Sequence, residues 1–276
     1  MSAAMSAALP KTLVLIGAGK MGGAMLEGWL RIGIDPAGVT LVDPQPSDEM
    51  AALAARQGMA LNPAGGGSPA EVVILATKPQ MLDTAAPAVA RLIGPGTLLI
   101  SILAGKTLGD LAQRLPTATA IIRAMPNLPA SVQRGATAAA AGPGVTGAQR
   151  AMADALLGSI GKVEWLESES LIDAVTGVSG SGPAYVFYLV ECLAAAGKAA
   201  GLPDDIAERL ARATIEGAGE MLYQSPLSPA TLRQNVTSPA GTTAAGLEVL
   251  MAEDALKPLI IKTVAAAKRR AGELSG

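Results

Sequence analysis

Histidine is absent from this 276-residue chain, and cysteine occurs once, at Cys192. Without an imidazole to carry protons, any acid–base chemistry falls to other groups. A lone cysteine excludes an intrachain disulfide and fits a reducing compartment; with no histidine beside it, a structural zinc site is ruled out. Charge is scarce as well, at 16% of residues against about 25% in an ordinary globular domain, while half of the chain is apolar. That imbalance suggests apolar surface covered by another subunit. A net charge of −2 supplies no basic field, so nucleic acid and anionic membrane are poor partners.

Long hydrophobic runs are missing too. The longest uncharged stretches, 135–149 and 174–190, are broken by Gly, Ser or Pro. Both fall short of the ~20 apolar residues that a spanning helix needs. The opening "MSAAMSAALPKT" has no basic segment ahead of an apolar one, so no secretory signal is expected and the chain is expected to be cytoplasmic.

What is present begins with five short runs rich in Val, Ile and Leu, at 12–17, 39–43, 71–77, 96–102 and 118–125. They are almost unbroken by polar residues, as strands buried on both faces of a parallel sheet are. Helical segments such as 20–31, 48–57 and 81–91 lie between them and supply crossovers. The segments 135–140 and 161–165 are expected to add edge strands. This predicts an N-terminal Rossmann-type, doubly wound α/β domain over 1–167.

The pattern changes near residue 168. An amphipathic helix is expected over 203–222. Ahead of it, 183–200 carries Tyr185, Val186, Phe187, Tyr188, Leu189 and Val190 in succession. A helix apolar all round is expected to be buried all round, here at a dimer interface. A last helix is expected over 254–272, ending on Lys268, Arg269 and Arg270, charges that suit a helix C-terminus. The stretch 168–276 thus reads as an all-helical second domain.

Three features carry chemistry. In "TLVLIGAGKMGGAM", Gly17, Gly19 and Gly22 form G-x-G-x-x-G between an expected strand and an expected helix. Such glycines permit a tight turn, close approach of backbone to a pyrophosphate, and tight helix–strand packing. The second run ends at Asp43, 21 residues past Gly22, where an acid that binds the adenosine ribose belongs. Residues 44–50 offer no Lys or Arg for a 2′-phosphate and add two acids, which favours NADH over NADPH.

"ATKPQ" (76–80) places Lys78 and Pro79 at the carboxyl edge of the sheet, Lys78 either contacting cofactor or standing in solvent. Asn127, in "RAMPNLPA" (123–130), either bonds the nicotinamide or caps its turn. "GVSGSGPAYVF" (177–187) reads as a flexible Gly/Ser loop with Pro183 opening a helix, suited to an anion or to a hinge. "VTSPAGTTAAG" (236–246) gathers Thr237, Ser238, Thr242 and Thr243. On its residues alone, Thr242 or Thr243 reads as the N-cap of a helix that starts near Thr243.

Together, "VTSPAGTTAAGLEVL", "DAVTGVSGSGPAY", "IIRAMPNLPA", "ATKP" and the glycine loop resemble, in order and over nearly the whole chain, the pyrroline-5-carboxylate reductase family. The resemblance implies reduction of a cyclic imine, 1-pyrroline-5-carboxylate, to L-proline by NADPH or NADH. It also implies a homodimer with a shared active site, commonly assembled into a decamer. On the cofactor side it implies Gly17, Gly19, Lys20, Met21 and Gly22 of the loop, with Asp43, Lys78, Pro79, Ala104, Gly105 and Asn127. On the substrate side it implies Val236, Ser238, Gly241, Thr242 and Ser181. Ser238 and the N–H groups near Gly241 and Thr242 would hold the carboxylate, and Thr243 would bond the imine nitrogen from the partner subunit.

Departures from the family pattern stand at Asp43, which counts against the family's frequent NADPH preference, and at 224–229, which lacks a His found in many relatives. Ala240 replaces the commoner first glycine of a Gly-Gly pair. Two other readings remain: an enzyme acting on another cyclic imine or on a β-hydroxyacid, the latter typically needing a catalytic lysine where 168–230 has only Lys198, and a silent dinucleotide-binding protein.

Overall fold

The computed structural model describes residues 9–64 and 67–275. Five strands that coincide with the apolar runs form the centre of the sheet: β1 (Leu13–Ile16), β2 (Val39–Val42), β4 (Val72–Leu75), β5 (Leu98–Ser101) and β6 (Ala120–Met125). A two-residue β3 (Ala60–Leu61), β7 (Gly135–Ala141) and β8 (Gly161–Trp165) complete an eight-stranded sheet in the order β3-β2-β1-β4-β5-β6-β7-β8. All pairs are parallel except β6 with β7. Of the two expected edge strands only β8 lies at an edge. β7 is interior, because β8 returns parallel beside it.

The helices α1 (Lys20–Ile32), α2 (Asp48–Gln57), α3 (Leu82–Ala90), α4 (Leu108–Arg114) and α5 (Gly147–Gly158) alternate with these strands. The strand residues divide by pleat into two cores. Leu13, Leu15, Val72, Ile74, Leu98 and Ile100 pack with Trp29, Leu156 and Leu157, while Val14, Ile16, Val73, Leu75 and Leu99 pack with Leu82, Val89 and Leu111. Trp29 is fully buried, and its Nε1–H donates to the Leu156 carbonyl at 3.0 Å, so the large side chain that fixes α1 against α5 leaves no orphaned donor. Strand order reverses between β1 and β4, and the crevice at their carboxyl ends is where such sheets bind ligands.

The chain divides into two compact units. One runs to Gly180 and takes in the chain from Lys268 onward; the other is Ser181–Ala267. The first therefore also holds α6 (Ile172–Val175) and the turn that follows. That turn, Thr176–Gly180, was expected as a Gly/Ser loop and is instead a wide π-type helical turn. Within it Thr176 Oγ1 donates to the Ile172 carbonyl at 2.9 Å and Ser179 Oγ to that of Val175 at 3.3 Å.

The second unit holds α7 (Gly182–Ala199), α8 (Asp204–Gln224), α9 (Pro229–Asn235), α10 (Thr242–Leu250) and most of α11 (Leu256–Ser275). The close helix pair is α7 with α8, where a Cβ on Gly197 would stand 3.1 Å from that of Ala207. Burial of α7 all round does not hold in the single chain. Phe187 is 56% exposed, Tyr188 66% and Leu189 47%, and the buried apolar side chains of this unit are Ala194, Ala207 and Ala211.

The last helix also departs from expectation. It continues to Ser275, so Lys268–Arg270 lie inside it rather than in its final turn; Arg270 is tied to Glu273 at 2.8 Å.

Candidate dinucleotide and substrate sites

The glycine loop turns directly out of β1. Gly17 has φ +91°, and a Cβ there would meet the Ala76–Thr77 backbone at 2.7–2.8 Å, so this position admits only glycine. Gly22 lies so close to the Gly17 carbonyl that a Cβ would collide with it. Gly19 differs: a Cβ there meets nothing within 4 Å. It is the N-cap of α1 and supplies no side-chain cap, so the N–H groups of Lys20, Met21 and Gly22 have no intrahelical partner in the first turn. These glycines do different work, two for packing and one for access, and the arrangement fits a pyrophosphate.

Asp43 follows β2. Its Oδ2 accepts the Ala18 N–H at 2.8 Å and its Oδ1 the Gln45 N–H at 2.9 Å, so the carboxylate is fixed against the glycine loop with a lone pair left on each oxygen. Beside it runs a groove of about 790 Å³, lined by Ala18, Gly19, Lys20, Asp43, Gln45, Ser47 and, from α2, Glu49 and Arg56. Arg56 is a basic residue that inspection of 44–50 alone misses. Helical periodicity finds it, since Glu49, Leu53 and Arg56 share one face.

The other candidates lie at the same edge of the sheet. Lys78 is exposed ahead of a short 3-10 turn, Pro79–Met81, which follows β4. Thr77 Oγ1 is buried there with no hydrogen-bond partner among the described residues. Ala104 and Gly105 form the turn after β5, with Gly105 at φ +71°. Asn127, after β6, is 9% exposed. Its Oδ1 accepts the Ala136 N–H at 2.8 Å and its Nδ2 donates to the Ser179 carbonyl at 3.0 Å. It thus pins β7 to the π-type turn and makes no side-chain cap of its own turn.

In the helical unit, Val236 ends α9 and is 60% exposed. The N-cap of α10 is Gly241, with no side-chain cap, so neither Thr242 nor Thr243 is the cap that the sequence suggests; both already belong to the helix. The reason is Ala240, whose φ of +55° turns the chain one residue earlier. The Gly241 N–H is taken by the Ser238 carbonyl at 3.1 Å and is not available to a carboxylate. Free N–H groups begin at Thr242. Thr237 Oγ1 donates to the Arg233 carbonyl at 2.6 Å. The hydroxyls of Ser238, Thr242 and Thr243 are exposed and make no hydrogen bond among the described residues. Ser181 precedes α7, where its carbonyl accepts the Ala184 N–H at 3.1 Å and its side chain caps nothing.

Lys198, the lysine that a hydroxyacid dehydrogenase would need, pairs with Glu208 at 3.0 Å and Asp204 at 3.4 Å. The Glu208 hydrogen bond, with Asp204 adding to it, raises its pKa and holds it protonated. Among the described residues there is no cluster of three or more potential metal ligands, and no helix is long and apolar enough to cross a membrane.

A doubly wound sheet with this loop and acid defines a dinucleotide-binding protein of the Rossmann type. Residues 12–105 match the family model "NADP oxidoreductase coenzyme F420-dependent", and residues 169–274 match "Pyrroline-5-carboxylate reductase dimerisation". The chain is 36% identical to pyrroline-5-carboxylate reductase of Pseudomonas aeruginosa over 95% of its length and 96% of that protein's. With the Glycine max enzyme the identity is 37% over 96% of both chains. A solved pyrroline-5-carboxylate reductase from Coxiella burnetii superposes with a TM-score of 0.89 at 33% identity, covering 96% of this chain and 99% of that one. The Plasmodium falciparum enzyme with NADP bound gives 0.76 at 25% identity, covering 96% and 98%. The chain belongs to the pyrroline-5-carboxylate reductase family.

Proposed function

We propose that this protein reduces 1-pyrroline-5-carboxylate to L-proline with a reduced nicotinamide dinucleotide, residues 1–167 binding the dinucleotide and 168–276 supplying dimer contacts and the substrate loop. The observation that carries the substrate side is the stretch Ser238–Thr243, where three unpartnered hydroxyls stand beside an uncapped helix start. An anionic, hydrogen-bonding ligand suits such a place, and the imine carries one carboxylate.

When bound, the dinucleotide supplies the hydride that reaches C5 of the ring imine. The free N–H groups of Lys20, Met21 and Gly22 hold the pyrophosphate, and Asp43 accepts from the adenosine ribose. Lys78, Pro79, Ala104 and Gly105 line the sheet edge toward the nicotinamide. Ser238 and the N–H groups from Thr242 onward hold the carboxylate. The Thr243 hydroxyl donates to the imine nitrogen, orienting the C=N bond and favouring the protonated nitrogen that becomes the secondary amine.

The loop acts on the nicotinamide site of a second copy, and the exposed α7 face is the surface that a partner covers, within a homodimer or a larger assembly such as a decamer. NADH is the preferred reductant, because a carboxylate at Asp43 repels a 2′-phosphate. The protein works in the cytoplasm. Absorbance of reduced nicotinamide, followed with 1-pyrroline-5-carboxylate and NADH or NADPH in parallel, tests the assignment. Oxidation with proline formed is expected, faster with NADH. No oxidation by a protein that binds cofactor would overturn it.

A further inference from the structure

Asn62 stands just past β3, outside the residues that line the groove. Its backbone is left-handed, with φ +47°, and its N–H donates to the Leu41 carbonyl at 2.8 Å as the last rung between β2 and β3. The side chain then continues what the backbone stops. Asn62 Oδ1 accepts the Asp43 N–H at 2.9 Å, and Asn62 Nδ2 donates to the Asp43 carbonyl at 2.7 Å. A side-chain amide pairs with both backbone groups of one residue, as a neighbouring strand would.

From Asp43 the line runs on. Its carboxylate takes the N–H groups of Ala18, in the glycine loop, and of Gln45. Asn62, Asp43 and Ala18 are therefore joined by consecutive hydrogen bonds across the carboxyl ends of β3, β2 and β1. β3 has only two residues, Ala60 and Leu61, and among the described residues no backbone pairing holds Asp43 from that side.

We propose that Asn62 is a positioning residue. It fixes the backbone of Asp43, hence the direction of the carboxylate, and through it sets dinucleotide affinity and the choice between NADH and NADPH. This rests on the reading of Asp43 as the ribose acceptor. With Asn62 removed, water satisfies the Asp43 backbone, the carboxylate loses its fixed direction, and binding must order it.

Asn62→Gly tests this, because glycine tolerates the left-handed backbone and deletes both side-chain bonds. NADH and NADPH affinities are measured by direct fluorescence titration without imine, on Asn62→Gly, Asp43→Ser and the double variant. Affinity for NADH is expected to fall ~3- to 10-fold in Asn62→Gly, the worth of a positioned hydrogen bond. NADPH should change less, and kcat at saturating NADH should stay within ~2-fold. In the double variant, Asn62→Gly should leave the NADH/NADPH ratio of Asp43→Ser unmoved. The ratio is taken on one preparation, so a misfolded fraction cancels.

Equal losses for both dinucleotides, or effects that simply add in the double variant, would reduce Asn62 to a structural role and overturn the proposal. A shift in Asp43→Ser with none in Asn62→Gly would overturn this inference alone. No shift in Asp43→Ser would remove the ribose reading and the inference with it.

Discussion

Ser238 Oγ occupies the space that a Cβ on Gly241 would need. Gly241 has an ordinary φ of −82°, so its backbone does not call for glycine; the neighbouring hydroxyl does. Gly241→Ala must push Ser238 aside. If Ser238 holds the substrate carboxylate, KM for the imine should rise roughly tenfold while dinucleotide affinity stays constant. Steady-state kinetics beside a cofactor titration checks this, and an unchanged KM would release Ser238 from that role.

Thr243 presents a hydroxyl with no internal partner, on the first turn of α10. Thr243→Ala should lower kcat by ~10- to 100-fold through loss of a donor to the imine nitrogen. Thr243→Ser should recover most of the rate. Equal rates in all three proteins would take Thr243 out of the mechanism.

Ala240 holds φ +55° in a region that costs an alanine about 1 kcal/mol or more. The glycine commoner at this place in the family removes that strain. Ala240→Gly is expected to stabilise the protein by ~0.5–1 kcal/mol, read from the midpoint of urea unfolding. A lower midpoint would mean that unfolded-chain entropy outweighs the strain.

The exposed apolar face of α7 predicts association. Light scattering should give at least twice the 27.5 kDa of one chain. Leu189→Glu should shift the protein toward monomer and abolish turnover while dinucleotide binding persists, because the sheet has its own core. A wild-type monomer that turns over would contradict the shared site.

At the start of α4, just past the Ala104–Gly105 turn, Thr107 and Asp110 form a reciprocal cap. The Thr107 N–H, first among its partners, lowers the pKa of Asp110. A depressed carboxylate stabilises the fold above its unfolded pKa and loses that stability as pH falls through the folded value. Asp110→Asn should therefore cost ~1 kcal/mol near neutrality, and the gap to wild type should close in acid. Paired unfolding curves at about pH 7 and about pH 3 decide it; a constant gap would assign the loss to geometry rather than charge.

What was legible in the sequence was local. β1, β4 and β5 are buried on both faces, and such strands read as unbroken apolar runs. The G-x-G-x-x-G spacing lies within one strand–turn–helix, so the places of Gly17, Gly19 and Gly22 are set by their immediate neighbours in the chain. The Asn62 clamp was not legible, although Asn-Pro at 62–63 marks a turn. Its partner lies 19 residues away on another strand. Asn127 reads in the sequence as a ligand or a cap; the structure removes the cap and adds a bond to Ser179, 52 residues distant, that no local pattern shows.

The sequence by itself determined the sheet, the glycine loop, the acid after β2 and the hydroxyl cluster, because each depends on neighbours in the chain or on a period of two or of 3.6. Only the tertiary structure decided how those parts are used. It placed Asp43 on Ala18, closed the Ser238 carbonyl on the Gly241 N–H, turned the Gly/Ser stretch into a wide helical turn, and left α7 uncovered. Hydrogen bonds between distant residues, and burial against surfaces that one chain does not supply, have no period to read.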